Sequence, residues 1–255
     1  MNSTHAGDAF ESDGVPLLTR SDATVYHATY EELAPIAAYR GRPDLLLVDA
    51  PYSDRTHSAS AELEALDRSP LSYEAWTPTT VAHFVHTWEP LTLGWFCTLT
   101  DHILAPYWAG QLEACGRYVF SPIACTVPGS RVRLQGDGPA QWSVWLVVAR
   151  PRTAPWSCWG ALPGAYVVPR HYRQNEPEAV PGAKPLWLVE QIVRDYSREG
   201  ELVCDPCCGG GTTPVAAAYN DRRSLSGDAI LEHAQRTADA LGRIARAPLT
   251  EGPYR

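Results

Sequence analysis

The sequence predicts an α/β fold: a central, mostly parallel sheet flanked by helices, with a small loop-rich insert. Three observations predict it. Two short apolar runs ending in an acid, "LLLVD" (45–49) and "LVCD" (202–205), read as strands buried on both faces. Helix-period segments alternate with such runs, which is the pattern of βα units. A Gly-rich turn, "CCGGGTT" (207–213), joins one of these strands to a helix.

Taken in order, residues 1–20 are rich in Ser, Thr, Gly and Asp, show no period and read as a loose arm. "ATVYHATYEELAPIAAY" reads as a short strand and then a helix through 31–38. Residues 45–48 form the first buried strand. The polar stretch 53–72 reads as a loop or lid. Residues 73–116 show mixed helical periodicity, with "TPTTVAHFVHTW" starting at a Thr cap. "GRYVFSPIACTV" and "AQWSVWLVVARP" are strand candidates. Residues 150–183, rich in Pro, Trp and Tyr and without a period, read as an insert made of loops. "KPLWLVEQIVRDYS" places Leu186, Val189, Ile192 and Val193 on one helical face. A strand, the Gly-rich turn and a helix follow, with Thr212 and Thr213 expected to cap that helix. A last strand ends near Asp228 and leads into a helix. No internal repeat is present.

The totals narrow the class. The 255 residues, 45% hydrophobic and 20% charged, suit a globular domain with a sizeable core. No run of 18 uncharged apolar residues occurs, so no membrane span is expected. The polar, acidic N-terminus lacks the pattern of a signal peptide, and a cytoplasmic location is expected. Seven cysteines, an odd number scattered along the chain, fit reduced thiols better than a disulfide framework. The net charge of −8 opposes an extensive nucleic-acid footprint, so any such role must rest on a local basic patch.

The stretch "VCDPCCGGGTT" admits two readings. As a metal or redox site it is incomplete: one C-x-x-C has no second ligand pair, and three glycines separate it from the helix. No metal is expected. As a ligand turn it is complete. Asp205 ends a strand, the glycines permit close backbone approach, and Asp228 follows 23 residues later at the next strand end. An acid at that place accepts hydrogen bonds from ribose hydroxyls in nucleotide-binding α/β folds.

"DPCCGGGTT" and "DAPY" (49–52) together resemble the amino-directed DNA methyltransferases that use S-adenosylmethionine. The family's ligand loop, Asp-Pro-Phe-x-Gly-x-Gly-Thr, is matched by Asp205, Pro206, Gly209, Gly211 and Thr212, with Cys207 in place of the aromatic. Its Asp-Pro-Pro-Tyr signature is matched by Asp49, Pro51 and Tyr52, with Ala50 in place of a proline. "KP" at Lys184 opens the lead-in helix. The catalytic motif precedes the cofactor motif, as in the β-type order of these enzymes.

The resemblance implies a Rossmann-like methyltransferase fold. Residues 21–149 would be the catalytic half, 150–183 a target-recognition insert and 184–255 the cofactor half. It implies that Asp49 and the Ala50 carbonyl hold the target amine, with Pro51 and Tyr52 completing the motif and Tyr52 stacking on a flipped base. Asp205, Pro206, Cys207, Gly209, Gly211, Thr212, Thr213 and Asp228 would hold the cofactor, with Lys184 near its methionine carboxylate. Arg55, Arg152, Arg170 and Arg173 are candidate contacts to double-stranded DNA. Asp rather than Ser at 49 leans toward adenine N6. A cytosine-N4 enzyme, an RNA methyltransferase and a catalytically dead DNA-binding relative are the alternatives. A nuclease partner, as in restriction–modification, and a homodimer stay open.

Overall fold

The computed structural model describes residues 15–54, 74–130, 138–153, 156–173 and 183–246. Its strands are β1 (Leu18–Thr19), β2 (Ala23–His27), β3 (Leu45–Asp49), β4 (Trp95–Thr100), β5 (Tyr118–Val119), β6 (Ile123–Thr126), β7 (Ser143–Arg150), β8 (Ala165–Val167), β9 (Leu202–Asp205) and β10 (Arg223–Asp228). The helices are α1 (Tyr30–Arg40), α2 (Pro78–Trp88), α3 (Ala105–Ala114), α4 (Leu186–Tyr196), α5 (Thr212–Tyr219) and α6 (Leu231–Arg246). One sheet holds every strand in the order β1-β2-β10-β9-β3-β4-β7-β6-β8, with β5 beside β7. The run β2-β10-β9-β3-β4 is parallel, and β7 is antiparallel to both β4 and β6.

Alternation along β3 shows why both faces are covered. Leu46 and Val48 point into a core with Leu33 of α1, Phe84 of α2 and Trp108 of α3. Leu45 and Leu47 point the other way, against Leu188 and Ile192 of α4 and Ala216 of α5. A strand with apolar residues on both faces is stable only inside such a sandwich, and each fully buried leucine contributes about 1.5–3 kcal/mol. Helix starts follow from local chemistry. Thr29 caps α1 in a reciprocal capping box with Glu32, and Thr77 caps α2 by accepting from the Thr80 amide.

The structure differs from the sequence expectations at four places. The end of the expected loose arm is β1, paired with β2. The helical region 73–116 contains β4, all six residues of which are buried. Its entry is held by the buried Arg117, whose guanidinium donates to Gly94 O (2.7 Å) and Thr92 O (2.5 Å) and pairs with Glu89. The insert contributes β8 to the sheet through pairing with β6. Gly211, in left-handed backbone, is the N-cap of α5, and no side chain caps it. Thr212 and Thr213 form the first turn instead. No helix among the described residues is long and apolar enough to cross a membrane.

The strand order reverses between β9 and β3. The chain leaves β9 toward β10 on one side and leaves β3 toward β4 on the other. Beyond the carboxyl ends of strands at such a reversal lies the crevice where open α/β sheets bind ligands.

Candidate active site

A cavity of about 340 Å³ fills that crevice. It is lined by Asp49 and Pro51 after β3, by Asp205, Pro206, Cys207, Gly209, Thr212 and Thr213 after β9, and by Asp228 after β10. Lys184, entering α4, also lines it. Thus the two sequence motifs, some 150 residues apart, meet in one space because β3 and β9 are neighbours.

The Gly turn is shaped by backbone sterics. Gly209 (φ +51°) and Gly211 (φ +88°) take conformations that favour glycine. A Cβ on Gly211 would lie 2.8 Å from Thr237 Oγ1 and 3.0 Å from Thr237 Cα. The same Thr237 hydroxyl donates to Gly209 O at 3.0 Å, so α6 buttresses the turn. Asp228 fixes it from β10: its Oδ2 accepts from Gly209 N (2.8 Å) and its Oδ1 from Ile230 N (2.9 Å).

Three aspartates, Asp49, Asp205 and Asp228, line the cavity at the strand ends, and Glu31 and Glu74 line it as well. Asp205 is the most buried, and burial pushes its pKa up to about 7. Hydrogen bonds from Thr213 and the Cys207 amide pull it down, while Asp49 and Asp228 push it further up. Such a group of acids in a partly dry cavity favours a cationic ligand. Asp49 has its own partners. Tyr52 Oη donates to Oδ1 at 3.1 Å, and Lys184 Nζ donates to Oδ2 at 2.8 Å. The same ammonium lies 4.8 Å from the centre of the Tyr52 ring. The Lys184 ammonium, expected beside a cofactor carboxylate, sits against the Asp49 carboxylate in the same cavity.

The cysteines line the turn. Burial, then the neighbouring Asp205, raises the Cys207 thiol well above its ordinary pKa. Cys208 packs on Thr237, and Cys204 is buried within β9. Among the described residues, no three His, Cys, Asp or Glu side chains form a group that could hold a metal ion.

The structure separates the expected DNA contacts. β7 runs opposite to β4, so Arg150 and the residues after it lie at the end of the sheet away from the cavity. Arg152 is there, its Nε donating to Gly116 O and its guanidinium over Tyr118. That register removes Arg152 from the site. β8 runs parallel to β6 and thus in the sense of β3, so the exposed Arg170 after it lies at the cavity end. It is four strands from β3, about 19 Å at the usual spacing. Arg173 shares its short 3-10 turn. Arg55 lies outside the described residues.

Sequence reasoning missed several lining residues. Tyr30 and Trp76 form an aromatic wall, ring centres 5.6 Å apart, with Tyr30 Oη bonded to His83 Nδ1 at 2.8 Å. His233, in the first turns of α6, lies 3.4 Å from Asp228 Oδ1. His233 and Thr237 are four apart on a helix that starts just past Asp228, a spacing that could have flagged them.

A nucleoside with a charged tail fits this donor set. An aromatic and apolar wall can take a base, Asp228 a ribose, and Asp205 with the turn amides a zwitterionic tail.

Fold and site together define an α/β protein built to hold a nucleoside with a charged tail. The chain belongs to the N6/N4 DNA methylase family, whose model matches residues 95–239. That span contains the Gly turn, Asp205 and Asp228 and leaves out residues 49–52. A 53-residue stretch is 40% identical to Type II methyltransferase M2.DpnII of Streptococcus pneumoniae, spanning 21% of this chain and 20% of that protein. The fold is similar to that of M1.HpyAVI in complex with SAM: TM-score 0.67, 19% identity, 86% of this chain and 98% of that one covered. It is also similar to the cytosine-N4-specific PvuII DNA methyltransferase: TM-score 0.62, 15% identity, 89% of each chain covered.

Proposed function

We propose that the chain transfers a methyl group from S-adenosylmethionine to the exocyclic amine of a base turned out of duplex DNA, with adenine N6 as the acceptor. The observation that carries this is the one cavity lined together by Asp49, Gly209 and Gly210 of the turn, Asp205 and Asp228. The cofactor supplies an electrophilic methyl group on a sulfonium.

The rest falls to the chain. Asp205 and the turn amides take the charged tail, and Asp228 takes the ribose hydroxyls with lone pairs left over from its two amide bonds. The three carboxylates stabilise the positive charge of a sulfonium. An exocyclic amine is a weak nucleophile because its lone pair is delocalised into the ring. Asp49 and the Ala50 carbonyl accept its N–H bonds and draw it toward tetrahedral geometry, which localises that lone pair. Positioning and fixed electrostatics supply the acceleration. The base leaves the duplex to reach the cavity, and Tyr52 offers a stacking face worth about 1–3 kcal/mol. Before the base enters, Lys184 covers that face and one oxygen of Asp49. Arg170 and Arg173 at the cavity end, with Arg55 beside the motif, contact the DNA backbone. Asp rather than Ser at 49 supports adenine.

The test is incubation of the protein with labelled cofactor and mixed-sequence duplex DNA, followed by digestion to nucleosides. Label in N6-methyladenine supports the reading. Label in N4-methylcytosine changes the acceptor, and label in RNA alone changes the substrate. Cofactor binding without transfer to any of them identifies a dead relative.

A further inference from the structure

The catalytic motif sits on a loop, and the loop is held from outside. Residues 50–53 after β3 belong to no strand or helix. Trp76 N donates to Tyr52 O at 3.0 Å, which fixes one side. The other side is fixed by Asp101, just past the end of the neighbouring strand β4, where Asp49 is in register with Leu99. Asp101 Oδ2 accepts from both Ser53 N (3.0 Å) and Ser53 Oγ (2.5 Å). Its Oδ1 accepts from Ile103 N (3.0 Å) and Leu104 N (2.9 Å) at the start of α3. Asp101 and Ser53 are both buried.

We propose that Asp101 is a positioning residue for methyl transfer: one buried carboxylate clamps the loop after Asp49 to the N-terminus of α3 and so sets where Tyr52 and the Ala50 carbonyl stand. This rests on the function proposed above. A carboxylate suits the task because it is acceptor-only, so it can take two donors at each oxygen. It is also stabilised at a helix N-terminus. Asparagine is nearly the same shape and fits worse: its NH₂ faces two backbone donors if turned toward Ile103 and Leu104, and still faces the Ser53 amide if turned the other way, where only the Ser53 hydroxyl can turn to accept. The loop then drifts, and a shift near 1 Å at a reacting group costs about 10²-fold in rate. The cofactor turn is held separately, among the described residues by Asp205, Asp228 and Thr237.

The experiment compares Asp101→Asn and Ser53→Ala in the full chain. Ser53→Ala removes one of the four donors and keeps the backbone amide. Transfer to mixed-sequence duplex DNA is expected to fall about 10²-fold in kcat for Asp101→Asn and severalfold for Ser53→Ala. The KM for DNA and the cofactor Kd by calorimetry are expected to stay within about threefold. Hydrogen–deuterium exchange, which needs no turnover, is expected to rise at 49–54 in both variants and to stay unchanged at 203–213. Wild-type kcat in a folded Asp101→Asn protein would overturn the proposal. So would losses of kcat, cofactor affinity and Tm in step in both variants, which mark a general structural role. A wild-type protein that methylates nothing overturns the proposed function instead, and the exchange result still decides whether Asp101 holds the loop.

Discussion

The Lys184 ammonium is bonded to the Asp49 carboxylate at 2.8 Å across 135 residues of sequence. With Tyr52 on the other oxygen, both oxygens of Asp49 are engaged. On the proposed function an incoming amine would compete with a cation already in place, so Asp49 and Lys184 would act as a pair.

Asp49→Asn keeps the size of the side chain and removes its charge. Methyl transfer is expected to fall by about 10²–10³-fold, the usual loss when one preorganised polar group is removed from a transition-state site. Cofactor affinity by calorimetry is expected to fall far less than turnover, since Asp49 adds negative charge to the cavity but takes no part in the Gly turn. Unchanged turnover would remove Asp49 from the reaction.

Lys184→Met separates two roles for this lysine. A lysine that acts through Asp49 lowers kcat, by roughly tenfold for one partly buried ion pair, and leaves cofactor affinity alone. The opposite pattern, a weaker cofactor Kd with kcat intact, would place Lys184 on the cofactor. The bond to Asp49 makes the first pattern the expected one.

The pKa of Asp205, raised to about 7 by burial, makes two opposite pH dependences. Its folded value lies above the unfolded one, so the folded state binds more protons between about pH 4 and 7. The group's contribution to stability is therefore greatest at low pH and declines as pH rises through 7. Binding of the ammonium of the zwitterionic tail needs the Asp205 carboxylate. Cofactor affinity is expected to rise about tenfold per unit below pH 7 and to level above it. Calorimetry from pH 5.5 to 8.5 measures this, and a flat profile would exclude Asp205 as the titrating contact.

Gly211→Ala is expected to cost about 1–3 kcal/mol of stability from backbone strain and to abolish measurable cofactor binding. Adding Thr237→Ala removes the Oγ1 clash but leaves Thr237 Cα 3.0 Å from the new Cβ, so rescue is expected to be partial. Thermal unfolding and cofactor titration read the two effects, and full rescue would show that the backbone strain is negligible.

The exposed Cys158 is expected to react with iodoacetamide before Cys207, whose raised pKa leaves little thiolate at pH 7.5. Activity should survive the first modification and fall only with the second, which bound cofactor should slow. Peptide mass mapping orders the two events. Inactivation in step with Cys158 alone would locate a functional group near the insert.

What could be seen in the sequence was local. "DPCCGGGTT" carries its own strand end, turn and helix start, and "LLLVDAPY" carries a buried strand and the acid after it. What stayed hidden depends on partners far along the chain. "WFCTLT" in β4 has no alternation and lies between helices, and its entry is fixed by Arg117, more than fifteen residues downstream. β8 has three residues, one of them buried, and is a strand only because β6 is beside it. Arg152 and Arg170 look alike in the insert, and only strand direction puts them at opposite ends. Asp101 serves a loop on another element, a role with no local trace.

β9 is the hinge of the architecture in time as well as space. It is near the middle of the sheet, between β10 and β3, yet more than 100 residues separate β3 from it in the chain. During synthesis β2 and β3 each wait with an unpaired parallel edge until residues past 200 have left the ribosome. Pairings that close over so long a loop form slowly, and open edges invite pairing with other chains. The nascent protein is therefore expected to depend on chaperones until β9 and β10 together join the two half-sheets, and the crevice at the strand ends appears only at that moment.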